Sequence, residues 1–97
     1  MSYTGFEWDE AKNRRNIRKH GISFSSATSL FDHLHYVRLD ERETYGEDRW
    51  LAIGWIGPML GAVVFAESED GDDDKLIRII SARKASTGEI ELYEKEF

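Results

Sequence analysis

From residue 49 to residue 81 the chain is a series of apolar runs of strand length, and that stretch limits what the whole can fold into. Arg49 to Ile56 and Gly61 to Glu67 flank the pair Gly57-Pro58. Proline cannot donate to a strand ladder, so Pro58 belongs in the turn of a hairpin joining the two runs. Leu76 to Ser81 forms a third run, apolar except for Arg78. Helical signals lie on either side of this block. Ile22 to Phe31 reads as a helix capped by Ser23, with Phe24, Ala27 and Phe31 at i, i+3 and i+7. Ser86 and Glu89 have the spacing of a capping box, and Ile90, Tyr93 and Phe97 line one side of the helix that follows. Phe6 to Trp8 suits a brief first strand or an anchoring segment, and His35 to Leu39 a further strand. The expected order is β-α-α-β-β-β-β-α. It describes one α+β domain over residues 1–97: two N-terminal helices, a mostly antiparallel sheet of about four strands, and a C-terminal helix.

The chain has 97 residues and no cysteine. It can bury a modest core without crosslinks, and thiol catalysis and cysteine–zinc sites are excluded. No apolar run approaches the ~20 residues that span a bilayer, and the N-terminus lacks a signal peptide's apolar stretch. A soluble, cytoplasmic protein is the expectation. The net charge of -6 is local: residues 67–74, ESEDGDDD, carry six acids and no base. Such a run usually marks a solvated turn; a metal site or a partner-facing patch is the alternative.

Against that acidity, Lys12, Arg14, Arg15, Arg18 and Lys19 concentrate five of the thirteen basic residues in one helix. Asp9 offers its N-cap, Glu10 suits the positive end, and Gly21 can close it in the left-handed conformation. At ~100° per residue the five bases fall with Ala11 within roughly 160° of arc, opposite Asn13, Asn16, Ile17 and His20. Only Ile17 on that second side is strongly apolar, so the helix buries a semi-polar face or docks lightly. A basic helix kept against the overall charge points to an anionic partner, with RNA the first candidate. A second basic stretch, RIISARK, covers Arg78 to Lys84.

FEWDEAKNRRNIRKHGISF at 6–24, YGEDRWLAIG at 45–54, and RIISARKA at 78–85 followed by Glu89 and Tyr93 together resemble the BrnT ribonuclease toxins of type II toxin–antitoxin systems. The resemblance covers nearly the whole chain. It implies a small RelE-like α+β fold, RNA cleavage without a metal or cofactor, and neutralisation by a BrnA-like antitoxin. Such antitoxins bind DNA through a ribbon-helix-helix module, so any contact with DNA would be indirect, through the complex. Three departures stand out. Met59 occupies a place where relatives often carry arginine, Ala66-Glu67-Ser68 stands where T-E-R is common, and Glu69 to Asp74 lengthens the next loop.

Metal-free cleavage makes the 2′-OH the nucleophile on the adjacent phosphorus. It needs a base, positive charge on the phosphorane oxygens, and an acid for the leaving 5′-oxygen. Arg49, Arg78 and Arg83 are the candidates for phosphate binding and transition-state stabilisation, because a guanidinium can grip two oxygens at once. Arg78 interrupts an apolar run, where a charge is costly unless its face opens on a cleft or on solvent. Strict alternation puts Arg83 on the opposite face, so the two converge only if the strand ends near Ala82. Arg49 is equally well explained by a salt bridge to Glu47 or Asp40. Glu47 is a candidate base if burial raises its pKa, and otherwise an arginine's simple partner. His20 suits acid–base work as imidazoles generally do, or else complements the helix dipole. Lys12, Arg15, Lys19 and Lys84 are the candidates for holding RNA backbone; a solvated or antitoxin-binding face is the alternative for the helix. His33 and His35 form an H-x-H pair with no third ligand evident. Trp8, Trp50 and Trp55 read as packing residues before stacking platforms. Three functions remain open: an RNA-cleaving toxin, a catalytically weakened relative acting as an antitoxin-binding co-repressor, and an unrelated acidic interaction domain.

Overall fold

The computed structural model describes residues 5–41, 46–69 and 75–97. Most of the acidic run, residues 70–74, lies outside them, as does Tyr45 of the second motif.

The first helix follows the sequence closely. α1 spans Glu10–His20, Asp9 accepts from the backbone amides of Ala11 and Lys12, and Gly21 closes it at φ 72°. Ser23 caps a second helix, but α2 holds only Phe24–Ala27 before Thr28–Asp32 tightens into a 3-10 turn. The single helix expected over 22–31 is therefore corrected to two short pieces. Thr28 and Ser29 turn their hydroxyls back onto the carbonyls of Ser25 and Ser26, local bonding that competes with regular helix. Phe24, Ala27 and Leu30 are fully buried on this segment.

Five strands follow the order β1-β5-β4-β3-β2, where β1 is Gly5–Glu7, β2 His35–Leu39, β3 Trp50–Ile56, β4 Met59–Glu69 and β5 Lys75–Lys84. The expected sheet of about four antiparallel strands is corrected in two respects. β1 joins as a fifth strand, parallel to β5 from Gly5 opposite Leu76 to Glu7 opposite Arg78, so the sheet is mixed. β5 also runs on past Ser81 to Lys84, because its last residues still pair with β4 as far as Gly61. The β3–β4 hairpin turns at Gly57, with φ 59°, and Pro58, as the sequence requires.

Register assigns the side chains to two faces. Ile77, Ile79 and Ala82 of β5 pack with Val63, Phe65 and Ala52 beneath Phe24, Ala27 and Leu30. On the other face Leu51, Ile53, Ala62 and Val64 meet the C-terminal helix α3, Thr87–Glu96, through Ile90 and Tyr93. Ser86 and Glu89 form the expected capping box of α3. α1 lies along the edge of β5 that β1 leaves open. Asn16 accepts from the amide of Ala82 and donates to its carbonyl, 3.1 and 2.8 Å, and donates also to the carbonyl of Ile22. One carboxamide thus replaces a strand partner. Asn13 accepts from the amide of Phe24 at 2.8 Å. These two asparagines are the buried side of α1, whereas Ile17 stays 42% exposed. The helix docks through hydrogen bonds, not through the single apolar residue on that side.

Candidate active site

Arg78 sits on the α3 face of β5, opposite Ala66 of β4 and Glu7 of β1. Its Nη2 donates to both carboxylate oxygens of Glu47, at 2.6 Å to Oε2. Arg49 Nε donates to the same Oε2 at 3.4 Å. The side chains of Arg78 and Glu47 remain 40% and 38% exposed, so the cluster faces solvent. The charge that interrupts the apolar run is accommodated on an open part of the sheet. Arg78's hydrogen bond, then its charge and the contact with Arg49, holds the Glu47 carboxyl below the usual carboxylate range. The burial that would make Glu47 a base is missing, and its shift has the opposite sign. Of the two sequence readings, the arginine's partner is the one the geometry supports.

Arg83 corrects the simple alternation. Val64 pairs with Ser81 but Phe65 pairs with Ile79, so Ile80 has no opposite number and forms a bulge. The extra residue restores Ser81 and Arg83 to the face that carries Arg78. Sharing a face does not bring the arginines together. Five residues at ~3.3 Å each separate them by on the order of 15 Å. Arg83 instead grips Glu89 of α3 with both nitrogens, Nη1 to Oε1 at 2.7 Å and Nη2 to Oε2 at 2.8 Å. Glu89 is 7% exposed, also accepts from the amide of Ser86, and has its pKa lowered to about 2, chiefly by Arg83. This pair ties α3 to the sheet. Lys84, the last residue of β5, is exposed beside Gly61. It lies in the strand, and so does Arg83, not in a turn approaching α3.

Between α1 and β5 runs a shallow cleft of about 320 Å³ lined by Lys12, Arg15, Asn16, Lys19, His20, Ile80 and Ser81. Three of the four RNA-binding candidates and His20 therefore converge on one groove. Ser81 joins that groove to the face bearing Arg78, three residues away. His20 belongs to the cleft and not to the Glu47 cluster. Its place in the last turn, before Gly21, also fits the helix dipole.

The remaining signals resolve into packing. Trp8 and Trp50 pack against the core beneath α2, and Trp55 is exposed at the end of β3. His35 Nδ1 lies 2.7 Å from the carbonyl of His33, and no three of His, Asp and Glu converge among the described residues. Met59 packs on the core. Ser68 falls on the α3 face in register with Leu76 and gives its hydroxyl to Glu7. An arginine there would have stood on the same face as Arg78. Two residues that no sequence signal singled out as site-building, Asn16 and the bulged Ile80, decide which side chains reach the groove.

The family described as ribonuclease toxin, BrnT, of type II toxin–antitoxin systems matches residues 8–89. The chain belongs to this family. Its match takes in α1, the groove and the whole Glu47–Arg49–Arg78 cluster. The 1.1 Å crystal structure of the Brucella abortus ribonuclease toxin BrnT is similar at 29% identity and a TM-score of 0.59, over 86% of this chain and 97% of that one. No curated protein matches the chain. Ser68 brings no charge to the face where Arg78 stands, and Met59 is a core-packing residue.

Proposed function

We propose that this BrnT-family protein cleaves RNA without a metal, arrests growth by doing so in the cytoplasm, and is neutralised by a BrnA-like ribbon-helix-helix antitoxin. One observation carries the reading. The cleft along the basic side of α1 is lined by Ser81, which register puts on the same face of β5 as Arg78, three residues away. RNA lying there is held by Lys12, Arg15 and Lys19 while a scissile phosphate meets Arg78 and Arg49. The two guanidiniums stabilise the additional negative charge of the phosphorane as the 2′-oxygen attacks; Arg78 is fixed in β5 and Arg49 adjoins β3, so they need little reorganisation. His20 stands in the groove as a proton-transfer candidate. Arg83 supports the site through α3.

The test is digestion of RNA by the purified chain in the presence of EDTA. Cleavage should persist, and Arg78→Ala should lower it by about 10²–10³-fold, the scale of losing one transition-state donor. Loss of cleavage on chelation refutes the metal-free step; an undiminished Arg78→Ala variant refutes the site. Ser68 supports a second reading. With its hydroxyl committed to Glu7 and no charge to offer, it favours a weakened relative that binds the antitoxin and co-represses without cutting. Harmless expression with tight antitoxin binding would select that reading.

A further inference from the structure

Glu47 stands where the preceding reading puts the RNA phosphate. A guanidinium receives a carboxylate and one edge of a phosphodiester in the same way, as two anionic oxygens. Glu47 presents both of its oxygens to Arg78 Nη2 and one of them to Arg49 Nε.

Three features make this contact a placeholder and not a strut. Arg78 is fixed in β5 and Arg49 adjoins β3, but Glu47 rises from the non-strand segment 46–49, after Gly46 at φ 77°. Its carboxylate can withdraw without breaking a ladder. The pair is more than a third exposed on both sides, where ion pairs are weak. The fit is also incomplete. Among the described residues only Nη2 of Arg78 has a hydrogen-bond partner, while its Nε is shut off from solvent without one. Where Nε is uncovered, a guanidinium can give a phosphate Nε and Nη2 together as a fork. Arg83 and Glu89 show the contrast within the same molecule: two parallel bonds, a buried carboxylate and a further bond from Ser86.

We infer that Glu47 is an internal anion filling the phosphate site of Arg49 and Arg78, displaced by the RNA backbone when substrate binds. This rests on the RNA-cleaving reading of the site. Displacement needs a ligand held elsewhere, so the carboxylate selects for chains long enough to reach the α1 groove. A lone phosphate, without those contacts, competes poorly. Glu47 then sets affinity and substrate length, and it supplies no proton transfer.

The experiment measures binding of a 2′-O-methyl oligoribonucleotide, which cannot supply the attacking hydroxyl, alongside cleavage of ordinary RNA. Glu47→Gln should bind the oligonucleotide about three- to five-fold more tightly, the worth of one exposed ion pair. The gain should vanish in the Arg78→Ala background, and kcat/KM on ordinary RNA should rise. Glu47→Asp, one methylene shorter, should show a smaller gain in the same direction and serves if the glutamine variant folds poorly. Unchanged affinity with a fall in kcat makes Glu47 part of the chemistry and overturns the inference. So does a gain that survives Arg78→Ala, which would reflect only the lost negative charge. If the gain appears but neither wild type nor variant cuts RNA, the nuclease reading fails and the displaceable anion stands.

Discussion

Arg78 and Arg83 lie five positions apart on one strand, and what each one holds separates their roles. Arg78 meets a half-exposed carboxylate from a loop; Arg83 meets a buried one from a capped helix. The second pair makes the fold sensitive to acid. Glu89 has a folded pKa lowered from 4.5 to about 2, first by its hydrogen bonds to Arg83. A depressed carboxylate pKa contributes stability that is complete above the unfolded value and is lost as pH falls through the folded one. Unfolding free energy should therefore decline between about pH 4.5 and 2, and the part of this due to Glu89 should disappear in Glu89→Gln. Allowing for solvent screening at the partly exposed Arg83, that part is about 1–2 kcal/mol. Urea titrations of both proteins across this range measure it; parallel pH curves would show that the pair adds nothing. The sequence pointed to Arg78 through the interrupted apolar run, a signal with a physical cost behind it. It gave no comparable pointer to the partner of Arg83, because Glu89 already had an explanation as the capping-box acid and it serves both roles.

Among the elements, α1 was legible almost to the residue because its signals are local: a cap at Asp9, a stop at Gly21, charge on one side. Its docking was not legible. Asn13 and Asn16 marked a semi-polar face, but Asn13 meets the amide of Phe24, and the strand edge that Asn16 satisfies at Ala82 is 66 residues away in sequence. β5 shows the same limit. Its apolar run was clear, but the bulge at Ile80 arises from pairing with Val64 and Phe65, and one inserted residue reverses the facing of everything beyond it. α2 failed for the opposite reason. Its apolar spacing was sound, but serine and threonine hydroxyls bonding to nearby carbonyls favour a tighter turn. A specific expectation follows for the α1–β5 seam. Asn16→Ala strands the amide and carbonyl of Ala82 and the carbonyl of Ile22, so it should cost about 2–4 kcal/mol. The Ala82 amide should also exchange its hydrogen faster than its neighbours in β4. Denaturation combined with hydrogen exchange tests both, and a loss below about 1 kcal/mol would mean that water replaces the asparagine without penalty.

For the whole molecule the question is how a chain of net charge -6 can attract RNA at all. At physiological ionic strength the Debye length is about 8 Å, so a ligand in the α1 groove responds to the nearest charges and little to the total. Those nearest are Lys12, Arg15 and Lys19, with Arg49 and Arg78 farther along the proposed path. Each neutralised phosphate of a single strand contributes about -0.7 to the slope of log affinity against log salt, so five contacts predict a slope of about -3.5. Replacing Lys12, Arg15 and Lys19 together by serine should reduce it to about -1.4, leaving the two arginines of the cluster. Arg78→Ala should move the slope by only about 0.7 while lowering cleavage by orders of magnitude. Groove charges and transition-state charges thus separate in one set of measurements: the first change salt dependence, the second change rate. If the triple substitution leaves the slope where it was, RNA does not follow α1. The basic side of that helix would then belong to the antitoxin, whose acidic residues could cover it in the same way.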